Sequence, residues 1–435
     1  MKIKTKNRVF LTKKRNLILF TLLYLLLYII YIYQIQPIFE YIGFGVEKNS
    51  IFSFVLGLLF ALIMIIIGGS LKDPFYYTLY GIIVSMHFLP GIVLSVTMGW
   101  NVATSAMVVF PLLTLVFLDK FTSKNIIINP PTIKFDKKAL KWIALALILV
   151  IPFLSRYKII NFSNLLFQDV YESRTLARGM SNPYIGYMTS PLLRYLLPFL
   201  LIYFMQKKKI IYSLIITLFI LLIYLTTGSL KGYLVYIFLM VMMSYGAKES
   251  QKIGRFVSFL IFLLTSGFLL YAWNITDFII TYVRRALFTE EFLARQYAEY
   301  FVCNYTYYSH TKTASFFNIN SIYRSKGTLT GWFGENVIGS GTNASVGSFV
   351  EGYWSLGLVG ILIASIIFGL IAYLVSNSKI DNKFIGVTAL ACYVFFMAQI
   401  EMVFITNGLW FFIILLLYVY PRRDNYVKDF SRKRR

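Results

Sequence analysis

Residues 51–69 read IFSFVLGLLFALIMIIIGG, nineteen residues without a charge. About 20 apolar residues in helical conformation cross the roughly 30 Å of bilayer hydrocarbon. A helix is also the one open structure that satisfies its own backbone in lipid. Leu17–Tyr33 and Phe256–Trp273 are runs of the same kind. Over the whole chain, 58% of the 435 residues are hydrophobic and only 14% are charged, a balance that a soluble domain of this length does not have. The expected fold class is an all-α polytopic integral membrane protein of about 12 transmembrane helices. Helices are expected at 17–33, 51–69, 75–94, 102–118, 140–155, 188–205, 210–226, 232–245, 256–273, 354–376, 384–400 and 403–420.

The net charge of +24 follows from topology. With a cytoplasmic N-terminus, the inner segments hold 29 of the 42 Lys and Arg but only 7 of the 18 acids. That asymmetry is the positive-inside rule, and it puts both termini in the cytoplasm. A nucleic-acid partner is therefore not implied. The first apolar run lacks a small-residue cleavage site and is expected to remain as a signal anchor. Three regions follow: 1–273, with helices one to nine and an outer loop at 156–187; a large outer segment at 274–353; and 354–435, with the last three helices and a basic cytoplasmic tail.

Long ordered loops on a rigid bundle usually carry function. Both outer segments are rich in Tyr, Phe, Asn, Gly and Arg, and are expected to form a folded cap on the membrane. Within the second, Thr281–Tyr300 reads as an amphipathic helix with Phe288, Phe292 and Tyr297 available to pack, and the glycine-rich 327–352 reads as turns. The outer cations differ in kind from the inner ones. Inside there are 21 Lys to 8 Arg, and outside 5 Lys to 8 Arg: Arg156, Arg174, Arg178, Arg194, Arg284, Arg285, Arg295 and Arg324. Arginine offers a planar fork for phosphate or carboxylate, so an anionic ligand on the outer face is expected.

Arg174 and Arg178 are four residues apart and share a helix face, with Asp169 and Glu172 near enough to neutralise them instead. The doublet Arg284-Arg285 follows the ninth helix at headgroup level. Glu291, Arg295 and Glu299 form an i, i+4, i+8 ladder that reads as structural. Arg194, and Lys231 in Thr227-Gly228-Ser229-Leu230-Lys231-Gly232, lie at the membrane boundary, where an ionisable group is a functional candidate and snorkelling the competing account. Glu401 marks a turn. His87, inside the third helix, reads as a satisfied buried histidine. With two histidines and no acid cluster at ligand spacing, no protein metal site is expected.

The segment Gly341-Thr342-Asn343-Ala344-Ser345-Val346-Gly347-Ser348-Phe349-Val350-Glu351-Gly352-Tyr353, with Gly357 and Gly360 following, resembles a late signature of Wzy-type oligosaccharide repeat-unit polymerases and the related O-antigen ligases. The turn at 227–232 is similar to another element of that family, with Lys231 where an arginine commonly stands. Arg284-Arg285 with Phe288, Tyr297 and Tyr300-Phe301 resembles the family's outer segment. The resemblance implies a glycosyltransferase-C-like membrane enzyme of the bacterial cytoplasmic membrane. It would polymerise undecaprenyl-pyrophosphate-linked repeat units into O-antigen, capsule or exopolysaccharide at the outer face. It would need no nucleotide sugar and no cofactor, and its partners would be those glycolipids, the bilayer, a chain-length regulator and a flippase.

That reaction needs fixed cations for the pyrophosphate and a base within about 3 Å of the acceptor hydroxyl. Arg174, Arg178, Arg284, Arg285, Lys231 and Arg324 are the expected phosphate ligands. His310 or Glu172 is the expected base, from a field that includes Asp169, Glu290 and Glu351. Asn343 and Glu351 would shape the sugar site. Two rivals stand beside this reading: an O-antigen-ligase-like transferase, and a flippase or transporter of lipid-linked oligosaccharide. The transporter would show two similar halves and charges deep in the membrane.

Overall fold

The computed structural model describes residues 2–46, 50–121, 187, 190–226, 231–244, 249–276, 279–324, 328–339 and 343–421. Among these residues every regular element is helical. In chain order they are α1 (Lys14–Ile42), α2 (Ile51–Gly69), α3 (Pro74–Met98), α4 (Val102–Phe121) and α5 (Leu192–Gln206). Then come α6 (Ile210–Thr226), α7 (Lys231–Ser244), α8 (Glu249–Ala272), α9 (Ile279–Phe288), α10 (Thr289–Tyr300), α11 (Lys312–Phe316) and α12 (Leu329–Asn336). The chain closes with α13 (Ser348–Asn377), α14 (Ile385–Met397), α15 (Ile400–Phe404) and α16 (Leu409–Tyr418). Six helices, α1 to α4, α8 and α13, are long and apolar enough to cross a membrane, and α5, α6, α14 and α16 are shorter apolar helices. The helix expected at 140–155 lies outside the described residues, as do Asp169, Glu172, Arg174 and Arg178.

Among the described residues α9 is π-helical throughout, and three apolar helices widen into a π turn, at Tyr31–Ile35, Val84–Phe88 and Leu192–Leu196. In each case a proline stands two residues further on: Pro37, Pro90 and Pro198. A proline inside a helix lacks the N–H and clashes with the carbonyl four residues back, and an extra residue in the preceding turn relieves both problems. His87 sits in the second of these turns.

The chain divides into two compact units. In the first (Met1–Asn125, Gly246–Tyr373 and Cys392–Glu401), α3 is the central helix: 89% of its most apolar stretch is buried, against 28% for α2. The outward side of α2, with Ile51, Phe52 and Ile66 exposed, faces where lipid would lie. The second unit (Ile126–Tyr245, Leu374–Ala391 and Met402–Arg435) is held by rings. Phe199 packs on Phe384 at 5.2 Å and on Tyr420 at 4.6 Å, and Tyr195 packs on Phe412 at 5.3 Å.

Helix α13 is not the single span that the sequence suggested from residue 354. Leu356 (φ −144°, ψ 20°) and Gly357 (φ 63°, ψ −144°) break it. The piece 348–355 turns back on the start of 358–377, so that Gly352 and Gly360 meet backbone to backbone. In a straight helix these two residues would stand about 12 Å apart. Only glycines allow such an approach. The remaining 358–377 still measures about 30 Å, enough to cross the hydrocarbon.

Candidate functional site

The segment α9–α10 carries most of the site. Its apolar residues Val283, Leu287, Phe288, Phe292 and Tyr297 are buried, as the amphipathic pattern requires. Near its start the Arg284 guanidinium lies 4.1 Å from the Phe39 ring centre, a cation–π contact, and Arg285 is exposed. Phe288 packs on Tyr31 at 5.5 Å. Glu290 and Glu291 then occupy the first turn of α10, where carboxylates suit the helix dipole.

Glu291 does not join the expected ladder. Its carboxylate accepts from His87 Nδ1 at 2.7 Å, while Arg295 pairs with Glu299 at 2.8 Å and donates to the Gly99 carbonyl at 2.6 Å. The Tyr393 hydroxyl lies 2.8 Å from His87 Nε2, and Glu290 Oε2 lies 3.7 Å from that same nitrogen. The Glu291 carboxylate can only accept, so it keeps a proton on Nδ1. His87 is 3% exposed and the Glu290 side chain 29%. Burial pushes the Glu290 carboxyl up to about 7; His87 opposes the rise and the neighbouring Glu291 charge adds to it. A cavity of about 20 Å³, room for one water, opens on this cluster and is lined also by Gly347, Phe349, Val350 and Phe396.

His87 lies 11 residues, or about 16 Å of helix, short of Met98 at the C-terminal end of α3. The stretch expected in a cap above the membrane therefore sinks its carboxylates beside the middle of a span. A buried imidazole needs partners, and α10 supplies them.

A second buried group surrounds His310. Tyr307 (φ 50°) and Tyr308 (φ 59°) are both left-handed, which turns the chain inward. The N–H groups of Thr306 and Tyr307 donate to the carbonyls of Trp354 and Ser355 at 2.8 and 3.0 Å, at the break in α13. His310 Nδ1 meets Thr306 Oγ1 at 3.1 Å. Its Nε2 lies 3.3 Å from both Trp354 Nε1–H and Glu351 Oε1. Glu351, 1% exposed, accepts the Ile400 N–H at 2.6 Å through its other oxygen. Two residues singled out from sequence, His310 and Glu351, thus come together, but with every polar atom engaged. The group ties the loop at 301–311 to α13 and α15.

Glu401 does more than mark a turn. It accepts the N–H of Lys312 at 2.9 Å and of Thr313 at 2.8 Å, and the Thr313 hydroxyl at 2.6 Å, so it caps α11 from a distance. Glu401→Ala is expected to cost about 1.5–3 kcal/mol, the value of a hydrogen bond to a charged group. A thermal midpoint unchanged from wild type would show that the cap contributes nothing.

Asn343 is exposed and joins neither group, although Ala344 beside it accepts the Tyr297 hydroxyl at 2.9 Å. The 327–352 stretch, expected as turns, holds α12 and the start of α13. Lys231 opens α7 and Arg194 lies in the π turn of α5, both in the second unit; the side chains of Lys231 and Arg324 lie outside the described residues. The sequence offered one signal for the His87 cluster: a titratable side chain within a span, which is a functional candidate by default. Its partnership with residues some 200 positions away was invisible. No protein-family model, curated protein or solved structure matches this chain.

Proposed function

We propose that this membrane protein transfers a growing glycan from one lipid pyrophosphate to the end of a second lipid-linked repeat unit, at the outer face of the bacterial cytoplasmic membrane. The observation that carries the reading is the composition of α9–α10. This one continuous segment bears paired arginines at its start and, a turn later, a partly exposed carboxylate seated on a buried imidazole beside a cavity. Cations beside a base are what displacement of a pyrophosphate by a hydroxyl requires.

In this reading the acceptor hydroxyl gives its proton to Glu290 as its oxygen bonds to the anomeric carbon. The bond from that carbon to the phosphate oxygen breaks, and undecaprenyl pyrophosphate leaves with the electron pair, held by Arg284 and Arg285. His87, Glu291 and Tyr393 position Glu290. His310 and Glu351 hold the loop over the site rather than act as base. Arg174, Arg178, Lys231 and Arg324 remain phosphate ligands, and Glu172 a rival base, on the resemblance alone.

Each of Arg284→Ala and Arg285→Ala is expected to lower kcat/KM for the lipid donor by about 10- to 100-fold, the loss of a charge-assisted hydrogen bond of about 1.5–3 kcal/mol. Lysine at 285 should restore part of that loss. Lysine at 284 should restore less, because the close guanidinium contact with the Phe39 ring is lost with the arginine. Unchanged kinetics in both alanine variants would remove the phosphate role.

One observation favours the transporter of lipid-linked oligosaccharide as a second reading. His87, Glu290 and Glu291 gather beside the middle of a span, where proton relays of transporters lie. Reconstitution of the purified protein with lipid-pyrophosphate-linked repeat units separates the two. A ladder of polymer on a gel supports the transferase. Movement of the lipid across the liposome without a ladder supports the transporter.

A further inference from the structure

At the opposite end of the first unit, the inner ends of α1, α2, α3 and α8 leave a groove of about 310 Å³ between them. Its walls are Leu17, Phe20, Ile65, Ile66, Val84 and Ile253. Lys14 stands at its mouth, beside Asn16, whose amide donates to the Tyr77 hydroxyl at 2.8 Å. Lys14 and Arg15 are both exposed. From Lys14 to Phe20, and from Tyr77 to Val84, the groove runs about 10 Å along its helices from the cytoplasmic boundary into the inner leaflet.

We propose that this groove is a binding site for an anionic phospholipid of the inner leaflet, with one acyl chain in the groove and the phosphate on Lys14 and Arg15. Apolar walls select the chain: Leu17, Phe20, Ile65, Ile66, Val84 and Ile253 offer hydrocarbon along the length of the groove, and an extended acyl chain fits against them. Charge selects the headgroup. Residues 1–16 carry seven Lys and Arg and no acid, and a basic cluster just inside the first span attracts anionic lipid. Glycine keeps the groove open: Gly69 lines it, and a Cβ there would meet nothing within 4 Å.

The site is independent of the transferase reading, and so is its test. The full chain is purified in detergent and titrated with phosphatidylglycerol or phosphatidylcholine under native mass spectrometry. One phosphatidylglycerol is expected to be retained at least tenfold more tightly than phosphatidylcholine. Gly69→Phe, which fills open space, should reduce retention of both lipids tenfold or more. The double variant Lys14→Ala/Arg15→Ala changes only exposed side chains, and should abolish the preference for phosphatidylglycerol while leaving phosphatidylcholine binding unchanged. Equal retention of the two lipids by the wild type would overturn the proposal. So would variants that bind phosphatidylglycerol like the wild type, or a dimer that Gly69→Phe dissociates, which would make a second copy the occupant.

Discussion

Glu290→Gln is expected to abolish chain extension, by about 10²- to 10⁴-fold, the range contributed by a positioned general base, while the lipid donor still binds. Glutamine keeps the size and a hydrogen-bonding oxygen but cannot take the proton. Single-turnover measurement with a labelled lipid-linked repeat unit separates the two quantities. Because the Glu290 carboxyl is held up to about 7, and only its ionised form accepts a proton, wild-type turnover should be full above about pH 8. It should fall close to tenfold per pH unit as the medium is acidified below 7. His87→Gln removes the ring beside Glu290 and Glu291, and should displace that acidic limb as well as slow the reaction. A variant with only a packing defect would slow the reaction with the limb unmoved. Full activity in Glu290→Gln would mean that the base lies elsewhere, with Glu172 the next candidate.

Loss of folded protein is the expected outcome of Gly360→Ala. A methyl group at 360 would overlap the Gly352 carbonyl, and the obstruction is backbone on both sides, so no side chain can swing away. Overpacking of a core ordinarily costs about 1–3 kcal/mol, and this site falls at or above the upper end because neither wall relaxes. The same break in α13 presents the Trp354 and Ser355 carbonyls to Thr306 and Tyr307, so the loop bearing His310 should detach with it. Detergent-solubilised yield and the thermal midpoint both report the effect. Gly69→Ala is the matched control: its Cβ meets open space and should change stability by no more than about 0.5 kcal/mol. Equal yields for the two variants would show that the Gly352–Gly360 approach is not required.

Helix positions were the most legible feature of the chain. Ile51–Gly69 and residues 210–226 coincide with α2 and α6 residue for residue, because long apolar runs leave the backbone no other way to satisfy itself in lipid. The burial of Phe288 and Phe292 was equally visible, since a spacing of four puts them on one face, whereas Tyr297 falls opposite Phe288 and is buried by Phe301, Phe333 and Trp354. Reading failed where the outcome depended on a distant partner. Glu291, Arg295 and Glu299 have ideal ladder spacing, yet a local i, i+4 pair is worth only a few tenths of a kcal/mol. Leaving His87 unpaired in a buried site would cost more, so Glu291 turns to it. Gly357 and Gly360 were read inside one unbroken helix over 354–376, and the reversal at Gly357 was missed.

By itself, the sequence determined that this is a helical chain with membrane-length apolar segments, and its Lys and Arg asymmetry set the expected orientation. Both are sums over many residues, each pushing the same way through transfer from water to hydrocarbon or through charge bias. Only the tertiary structure decided which ionisable groups meet. That His87 finds Glu290, Glu291 and Tyr393, that His310 is locked by Glu351 and Trp354, and that α13 folds back at Gly357 each rest on a few contacts between residues far apart in the chain. Such contacts are fixed by packing and by the cost of leaving buried polar groups unpaired, and neither leaves a periodic trace in the sequence.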